Sequence, residues 1–458
     1  MEKLDIVKIY KDIKSFDKKE VTVAGWVRSV RDMKNFGFCD LNDGTSFKGA
    51  QIVLDAKMKD YDKIARLNAG SSIICKGSVV ATPNAKQPFE IHAKSIEIVC
   101  ATDETYPLQK KGHSVEFLRE QAYLRPRTNL FNAVYRVRSE AAFALHQFFN
   151  NQGFVYVQAP ILTSSDCEGA GELFKVSTQD IYSGKKLKPE DELFGKSVYL
   201  SPSCQLEGEA FALAMGKIYT FGPSFRAENS NTIKHANEFW HIEPEMAFYE
   251  LKEDMDTMEA MIKYVINYLF EKCPEELKFF DSFVEKGLIA KLTNVKDSQF
   301  ARVSYTDAIK TLEKNNANFE YKVSWGCDIQ TEHEKYLTEV VYKKPVFVYD
   351  YPKEIKAFYM KLNSDNKTVK ATDLLVPGIG ELCGASEREE NYDVLLNRIH
   401  ELKLNEKDYW WYLNLRKFGS VKHSGFGMGF DRFVMYVTGV SNIRDVLPFP
   451  RTPKNCEF

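Results

Sequence analysis

Two segments, GPSFRAENSNTIKHANEFWHIEPE (residues 222–245) and GFGMGFDRF (425–433), constrain the fold most tightly. Each joins an apolar, strand-like run to an arginine, and the second carries three alternating glycines that strip one face of its strand of side chains. Such a face lies close against another backbone or a ligand. A guanidinium stays charged and presents a fixed fork of donors, so Arg226 and Arg432 beside such strands point to a site gripping a polyphosphate and a small acid together. Tight packing for the glycines and a salt-bridged hairpin for the first segment are the plainer alternatives.

The rest of the pattern narrows the architecture. Residues 21–99 read as five short strands broken by Gly, Asn, Asp or Pro, with a helical stretch near 60–69, which fits a small closed barrel of the OB type or a purely structural barrel. Residues 101–128 are polar and interrupted by prolines, as a hinge is, and 131–150 repeat apolar residues at helical spacing. Strand-like runs follow at 198–200, 218–225, 238–248, 346–351, 357–362, 372–376 and 380–383. They lack a regular βαβ rhythm, so an α+β domain with a mixed or antiparallel sheet flanked by helices is expected. No GxGxxG or GxxxxGK[ST] loop is present. The expected division is a barrel over 1–100, a hinge over 101–128 and a large domain over 129–458, with a lysine-rich insertion at about 273–337.

At 458 residues the chain exceeds what one core usually holds, and its net charge of −2 argues against coating nucleic acid by bulk charge. Nine cysteines without a CxxC pair indicate neither a zinc site nor a disulfide framework and fit a cytoplasmic location. No apolar run reaches bilayer length, so no membrane association is expected.

The chemistry clusters in three places. Arg226 ends a strand; Glu228 follows, and His235 and Lys234 sit in a polar loop within reach of a phosphate tail. Phe239 offers a stacking face, and Glu243 and Glu245 alternate inward on the returning strand. Phe239 and Arg432 together suit an adenine held from both faces. In GIGELCGASEREEN (378–391), Glu381 lies in an otherwise neutral strand where a carboxylate needs a salt-bridge partner or a hard cation such as Mg²⁺, and Arg388 returns to the same cavity from the following helix or turn.

These segments resemble the class II aminoacyl-tRNA synthetases of the aspartate, asparagine and lysine subgroup, most closely the asparaginyl enzymes. The likeness covers essentially the whole chain. It rests on GFVYVQAPILTSSDCEGAGELF (153–174) for the first class motif, on residues 225–245 for the second and on residues 425–451 for the third. It implies a catalytic domain built on an antiparallel sheet, an OB-fold anticodon-binding barrel, ATP as substrate with Mg²⁺, tRNA(Asn) as partner and a homodimer formed through the motif 1 region. By the same resemblance Arg226 holds the α-phosphate and the amino-acid carboxylate, Glu228 the adenine side and His235 the γ-phosphate. Phe239 and Arg432 sandwich adenine, and Glu381 carries the metal, with Gly384 where aspartate enzymes place a polar neighbour. Glu168 and Gln205 grip the α-amino group.

Specificity is expected to follow from two departures from the aspartate enzymes. Gly208 of SPSCQLEGE stands where they carry a lysine, and Glu243 stands where they carry an aspartate. Losing the cation favours a side-chain amide that donates to Glu243 and accepts from Arg388, because a bound aspartate would oppose Glu243 in a desolvated pocket. In the barrel, Phe38 and Gln51, assisted by Phe36 and Glu90, align with residues that read anticodon bases. The rivals are a non-discriminating aspartyl/asparaginyl enzyme, an ammonia-dependent asparagine synthetase of the same fold, and a non-catalytic tRNA-binding regulator.

Overall fold

The computed structural model describes residues 2–458 apart from 110–111, 166, 168–171, 181, 183, 185 and 187. The chain divides into two compact units, Met1–Arg136 and Val137–Phe458.

In the first unit, β1 (Glu20–Asp32), β2 (Phe36–Asn42), β3 (Ala50–Asp55), β4 (Ser72–Ala81) and β5 (Phe89–Cys100) close into a barrel in the order β1-β2-β3-β5-β4. Alternation does the work: Val21, Val23 and Val27 of β1 turn inward to meet Ile52, Ile73 and Ile91, while the intervening residues face out. Closure brings β1 very near the end of β2, so that a β-carbon at Gly25 would lie 2.5 Å from the Asn42 carbonyl oxygen. The helical stretch expected near 60–69 is the short helix Tyr61–Ala65.

In the second unit the strands are β6 (Val155–Tyr156), β7 (Leu162–Thr163), β8 (Lys175–Val176), β9 (Val198–Leu200), β10 (Lys217–Phe225), β11 (Glu238–Ala247), β12 (Ala301–Ser304), β13 (Val346–Pro352), β14 (Thr368–Val376), β15 (Gly380–Glu387) and β16 (His423–Gly429). Eight of them form one sheet in the order β12-β13-β14-β15-β16-β11-β10-β6. Its six central strands run antiparallel, and each edge strand joins in parallel. β7, β9 and β8 make a small separate sheet.

Helices cover the large sheet because their apolar stripes require it. Helix Leu251–Lys272, started by a capping box between Glu250 and Glu253, buries Met258, Met261, Ile262 and Val265. The helix read at 131–150 runs from Asn129 to Asn151 and buries Phe131, Val134, Val137, Ala141 and Leu145.

One local expectation changes. Residues 357–362 form no strand and make only isolated bridges, Met360 with Arg388 and Leu362 with Val369. Phe358 is drawn instead into a cluster with Leu395, Ile399, Tyr409 and Tyr412, which takes this stretch out of the sheet. Within the 273–337 stretch, strand β12 adds to the edge of the main sheet beside β13.

Candidate active site

The site is built on the antiparallel pair β10 and β11 and on β15 and β16 beside them. β10 hands the chain to Arg226, whose backbone N–H donates to the Asn237 carbonyl at 3.0 Å. The strand does not continue through Glu228, as the spacing allowed; residues 226–237 form a loop. Asn237 ties that loop shut, its Nδ2 donating to the carbonyls of Arg226 at 2.8 Å and Glu228 at 2.9 Å.

The alternating glycines have a steric reason. On β16, Gly425 pairs directly with Glu245 of β11, and a β-carbon there would overlap the Glu245 carboxylate. A β-carbon at Gly427 would lie 2.8 Å from His241 Nε2, whereas at Gly429 its nearest neighbour is Arg432 Cβ at 3.9 Å. The first two glycines therefore make room for β11 side chains that arch across the sheet.

Two adjoining cavities share Arg226, His241, Glu381 and Gly427. The smaller, 150 Å³, gathers Glu228, Lys234, His235, Phe239 and Arg432 around Arg226. The Arg226 guanidinium lies 5.3 Å from the Phe239 ring centre, and Arg432 Nη1 donates to the Glu381 carbonyl at 3.2 Å. Burial, then the nearby Arg432 cation, lower the His235 pKa, so its imidazole is neutral near neutral pH. Lys234 Nζ donates to the Ile379 carbonyl at 2.6 Å.

The larger cavity, 280 Å³, collects Gln205, Glu243, Glu245, Glu381 and Arg388. Glu243 accepts from Ser203 Oγ, from the Cys204 N–H at 3.0 Å, and approaches His241 Nδ1 at 3.2 Å. Burial opposes its charge, but His241, Ser203 and the Cys204 N–H hold its pKa down to about 2. Arg388 follows β15 directly rather than lying on a helix. Its Nε and Nη2 donate to Glu245 at 3.2 and 2.5 Å and its Nη1 to Ser386 Oγ at 2.7 Å. Three of its five N–H groups make those bonds, and the fork has two more to offer a ligand. Gly208 packs against the stem of the same side chain: a β-carbon there would sit 3.5 Å from Glu245 Cγ and from Ile218 Cδ1.

Glu381 opens into both cavities. Among the described residues no three His, Cys, Asp or Glu side chains converge as a metal cage. A point fixed by the missing Gly384 β-carbon, however, lies 3.6 Å from both Asp373 Oδ1 and Glu381 Oε1. Carboxylate oxygens are the ligands a hard cation takes, with water and phosphate completing its shell, and Asp373 and Glu381 both line the larger cavity, although Lys356 Nζ also bonds Asp373 at 3.0 and 2.8 Å.

Every candidate of the nucleotide and amino-acid sites within the described residues lines one of these cavities. Glu168 lies outside the described residues. Sequence reasoning missed Asp373, its partner Lys356 (Nζ to Oδ2, 2.8 Å), Tyr359, Ser203 and His241. Asp373 left a faint signal as a carboxylate in an otherwise apolar strand; Ser203 left none, because its partner Glu243 lies 40 residues away, and His241, whose partner Glu243 is only two residues on, reads as one more polar residue of its strand.

On the barrel, Phe36 and Phe38 meet edge to face at 5.3 Å, and the Arg31 guanidinium lies 5.6 Å from the Phe38 ring centre. Gln51 Nε2 donates to Glu90 Oε1 at 2.7 Å, across the parallel β3–β5 pair. The four expected anticodon residues thus share one barrel face with Arg31, which the sequence did not single out.

A family model described as tRNA synthetases class II (D, K and N) matches residues 114–453, and one described as an OB-fold nucleic acid binding domain matches residues 21–99. The chain belongs to the class II tRNA synthetases. Within this family it is 56% identical over 463 residues to the asparagine–tRNA ligase of Clostridium tetani, with 100% of both chains covered. It is 58% identical to that of Clostridium botulinum strain Eklund 17B, with 99% of each covered. Among solved class II structures, the asparaginyl-tRNA synthetase of Pyrococcus horikoshii complexed with asparaginyl-adenylate superposes with a TM-score of 0.88 at 34% identity, covering 100% of this chain and 99% of the other.

Proposed function

We propose that this chain is an asparagine–tRNA ligase that activates L-asparagine with ATP to asparaginyl-adenylate and transfers it to the 3′ end of tRNA(Asn). The observation that carries the choice of amino acid is the charge balance at the floor of the larger cavity. Arg388 is already engaged by the buried carboxyl groups of Glu245 and Glu209, Glu243 is held ionised, and Gly208 supplies no cation. A side-chain amide fits that floor, donating to Glu243 and accepting from the open arms of Arg388. An aspartate carboxylate would meet Glu243 with no compensating charge.

The adjoining cavity takes ATP. Arg226 sits where the two cavities meet, so its fork can hold the α-phosphate and the amino-acid carboxylate together for in-line attack. Glu228 serves the adenine side, the neutral imidazole of His235 donates to the γ-phosphate, and Phe239 and Arg432 bracket the base. Glu381 and Asp373 would hold Mg²⁺, which when bound offsets phosphate charge. Asparagine's carboxylate oxygen forms the new bond to the α-phosphorus as the bond to pyrophosphate breaks. The terminal ribose hydroxyl of tRNA then displaces AMP. Positioning and charge stabilisation supply the rate, and no side-chain nucleophile is needed.

In this reading residues 1–100 bind the anticodon through Phe36, Phe38, Gln51 and Glu90, residues 101–128 act as a hinge, and residues 129–458 catalyse. The resemblance assigns a homodimer contact to the motif 1 region, where Phe143 of the long helix and Val155, Tyr156, Ile161 and Leu162 after it are exposed apolar side chains available for it. No helix among the described residues is long and apolar enough to cross a membrane, and we place the enzyme in the cytoplasm. The test is ATP–pyrophosphate exchange with asparagine and aspartate in parallel: exchange driven by asparagine supports the reading, and equal rates with both amino acids would overturn its specificity.

A further inference from the structure

Behind the larger cavity lies a buried carboxylate that the mechanism above does not use. Glu209 stands one helical turn after Gln205 on helix Gln205–Met215 and is completely buried. Its Oε1 accepts from Gln205 Nε2 at 3.1 Å and lies 3.9 Å from Arg388 Nε. Its Oε2 accepts from Arg416 Nη2 at 2.7 Å and faces His423 Nε2 at 3.0 Å, and Tyr412 Oη lies 2.8 Å from both oxygens. Burial works against ionisation, but Arg416, His423 and Arg388 outweigh it and depress the Glu209 pKa. Glu209 therefore keeps its negative charge in the core.

Maintaining a buried ion cluster is a costly way to pack a core, because well-fitted apolar residues stabilise at least as well. What a carboxylate gives that an apolar group cannot is an acceptor without a donor. An ionised carboxylate can only accept, so Gln205 must present its NH₂ to Glu209 and turn its carbonyl oxygen the other way. Gln205 lines the cavity, and a carbonyl oxygen facing it matches the three N–H donors of an α-ammonium group. Without this partner the amide would be free to flip and offer an N–H to an ammonium.

We propose that Glu209 is a positioning residue for the amino-acid substrate, locking the amide of Gln205 so that its carbonyl oxygen accepts from the substrate's α-ammonium. The assignment rests on the reading of the larger cavity as the asparagine site. Arg416, Tyr412 and His423 hold the carboxylate in place from helix Trp410–Leu415, the residue after it and the start of β16.

The experiment measures asparagine-dependent ATP–pyrophosphate exchange for the wild-type chain and for Glu209→Gln, together with inhibition by succinamate, which is asparagine without its amino group. The substitution keeps size but restores a donor, so KM for asparagine rises about tenfold, the loss of about one hydrogen bond to a charged group. KM for ATP and kcat stay within about twofold, and the preference for asparagine over succinamate shrinks by the same factor as the rise in asparagine KM. Gln205→Ala and the double variant then show equal KM for asparagine, because Glu209 acts only through Gln205. If Glu209→Gln does not fold, Glu209→Gln with Arg416→Gln, which removes both buried charges, is read by the same ratio. An unchanged asparagine-to-succinamate preference, or equal losses in asparagine and ATP KM, overturns the proposal. Absence of asparagine-dependent exchange in the wild-type chain overturns instead the reading of the cavity on which it rests.

Discussion

The alternating glycines of β16 allow a sharp test, because the three positions differ only in what an added methyl group would meet. At Gly425 the β-carbon overlaps the carboxylate of Glu245, which arches over its cross-strand partner to reach Arg388. Gly425→Ala must expel that carboxylate and break the bonds at 2.5 and 3.2 Å that hold a buried arginine. Removing one partner of a buried pair costs about 3–5 kcal/mol. At Gly429 the nearest atom is 3.9 Å away, an ordinary contact, so Gly429→Ala loses no pair and stays within about 1 kcal/mol. Urea denaturation of both variants, with asparagine KM from pyrophosphate exchange, checks the contrast. Gly425→Ala is expected to lose stability by that margin and to raise asparagine KM more than ATP KM, since Arg388 is then misplaced. If Gly425→Ala matches Gly429→Ala in both measurements, the glycine is not making room for the Glu245–Arg388 pair and the reasoning is wrong.

Other substitutions separate the parts of the machine. Arg226→Ala is expected to lower exchange at least about 100-fold, as loss of a charge-stabilising donor does, with the denaturation midpoint nearly unchanged; activity near wild type would remove its role. Phe38→Ala should leave exchange intact but weaken tRNA binding by about 1–3 kcal/mol, the worth of one stacked base, which a filter-binding titration reads; unchanged binding takes the barrel face out of anticodon reading. Glu243 has a pKa depressed from 4.5 to about 2, so the unfolded chain binds its proton first as pH falls. Its contribution is present above about pH 4.5 and lost as pH falls toward 2, amounting to about 3 kcal/mol. Glu243→Gln should therefore flatten the acid limb of the stability profile, and an unaltered limb would contradict the ionised assignment.

How far the sequence reveals this arrangement depends on the range of the forces involved. The barrel strands, the long helix from Asn129 and the strands around Arg226 and Glu381 follow from local alternation and helical spacing, and they appear in the fold. The strand expected at 357–362 fails because Phe358 finds better burial among helices than in the sheet, a tertiary preference that local pattern does not carry. Gln205, Glu243 and Arg388 could be named from their segments, yet their couplings could not. Arg388 reaches Glu245 across 143 residues and Arg416 reaches Glu209 across 207, and nothing in the local text marks either pair. Likewise the glycines of β16 were legible as a bare strand face, but not the carboxylate and imidazole that occupy it.

The most direct test of the central claim is charging of tRNA(Asn) by the purified chain with labelled asparagine or labelled aspartate under otherwise identical conditions. The account predicts asparagine on the 3′ end of the tRNA and no detectable aspartate, because Glu243 remains ionised and position 208 offers no cation. Aspartate transferred as readily as asparagine would contradict it.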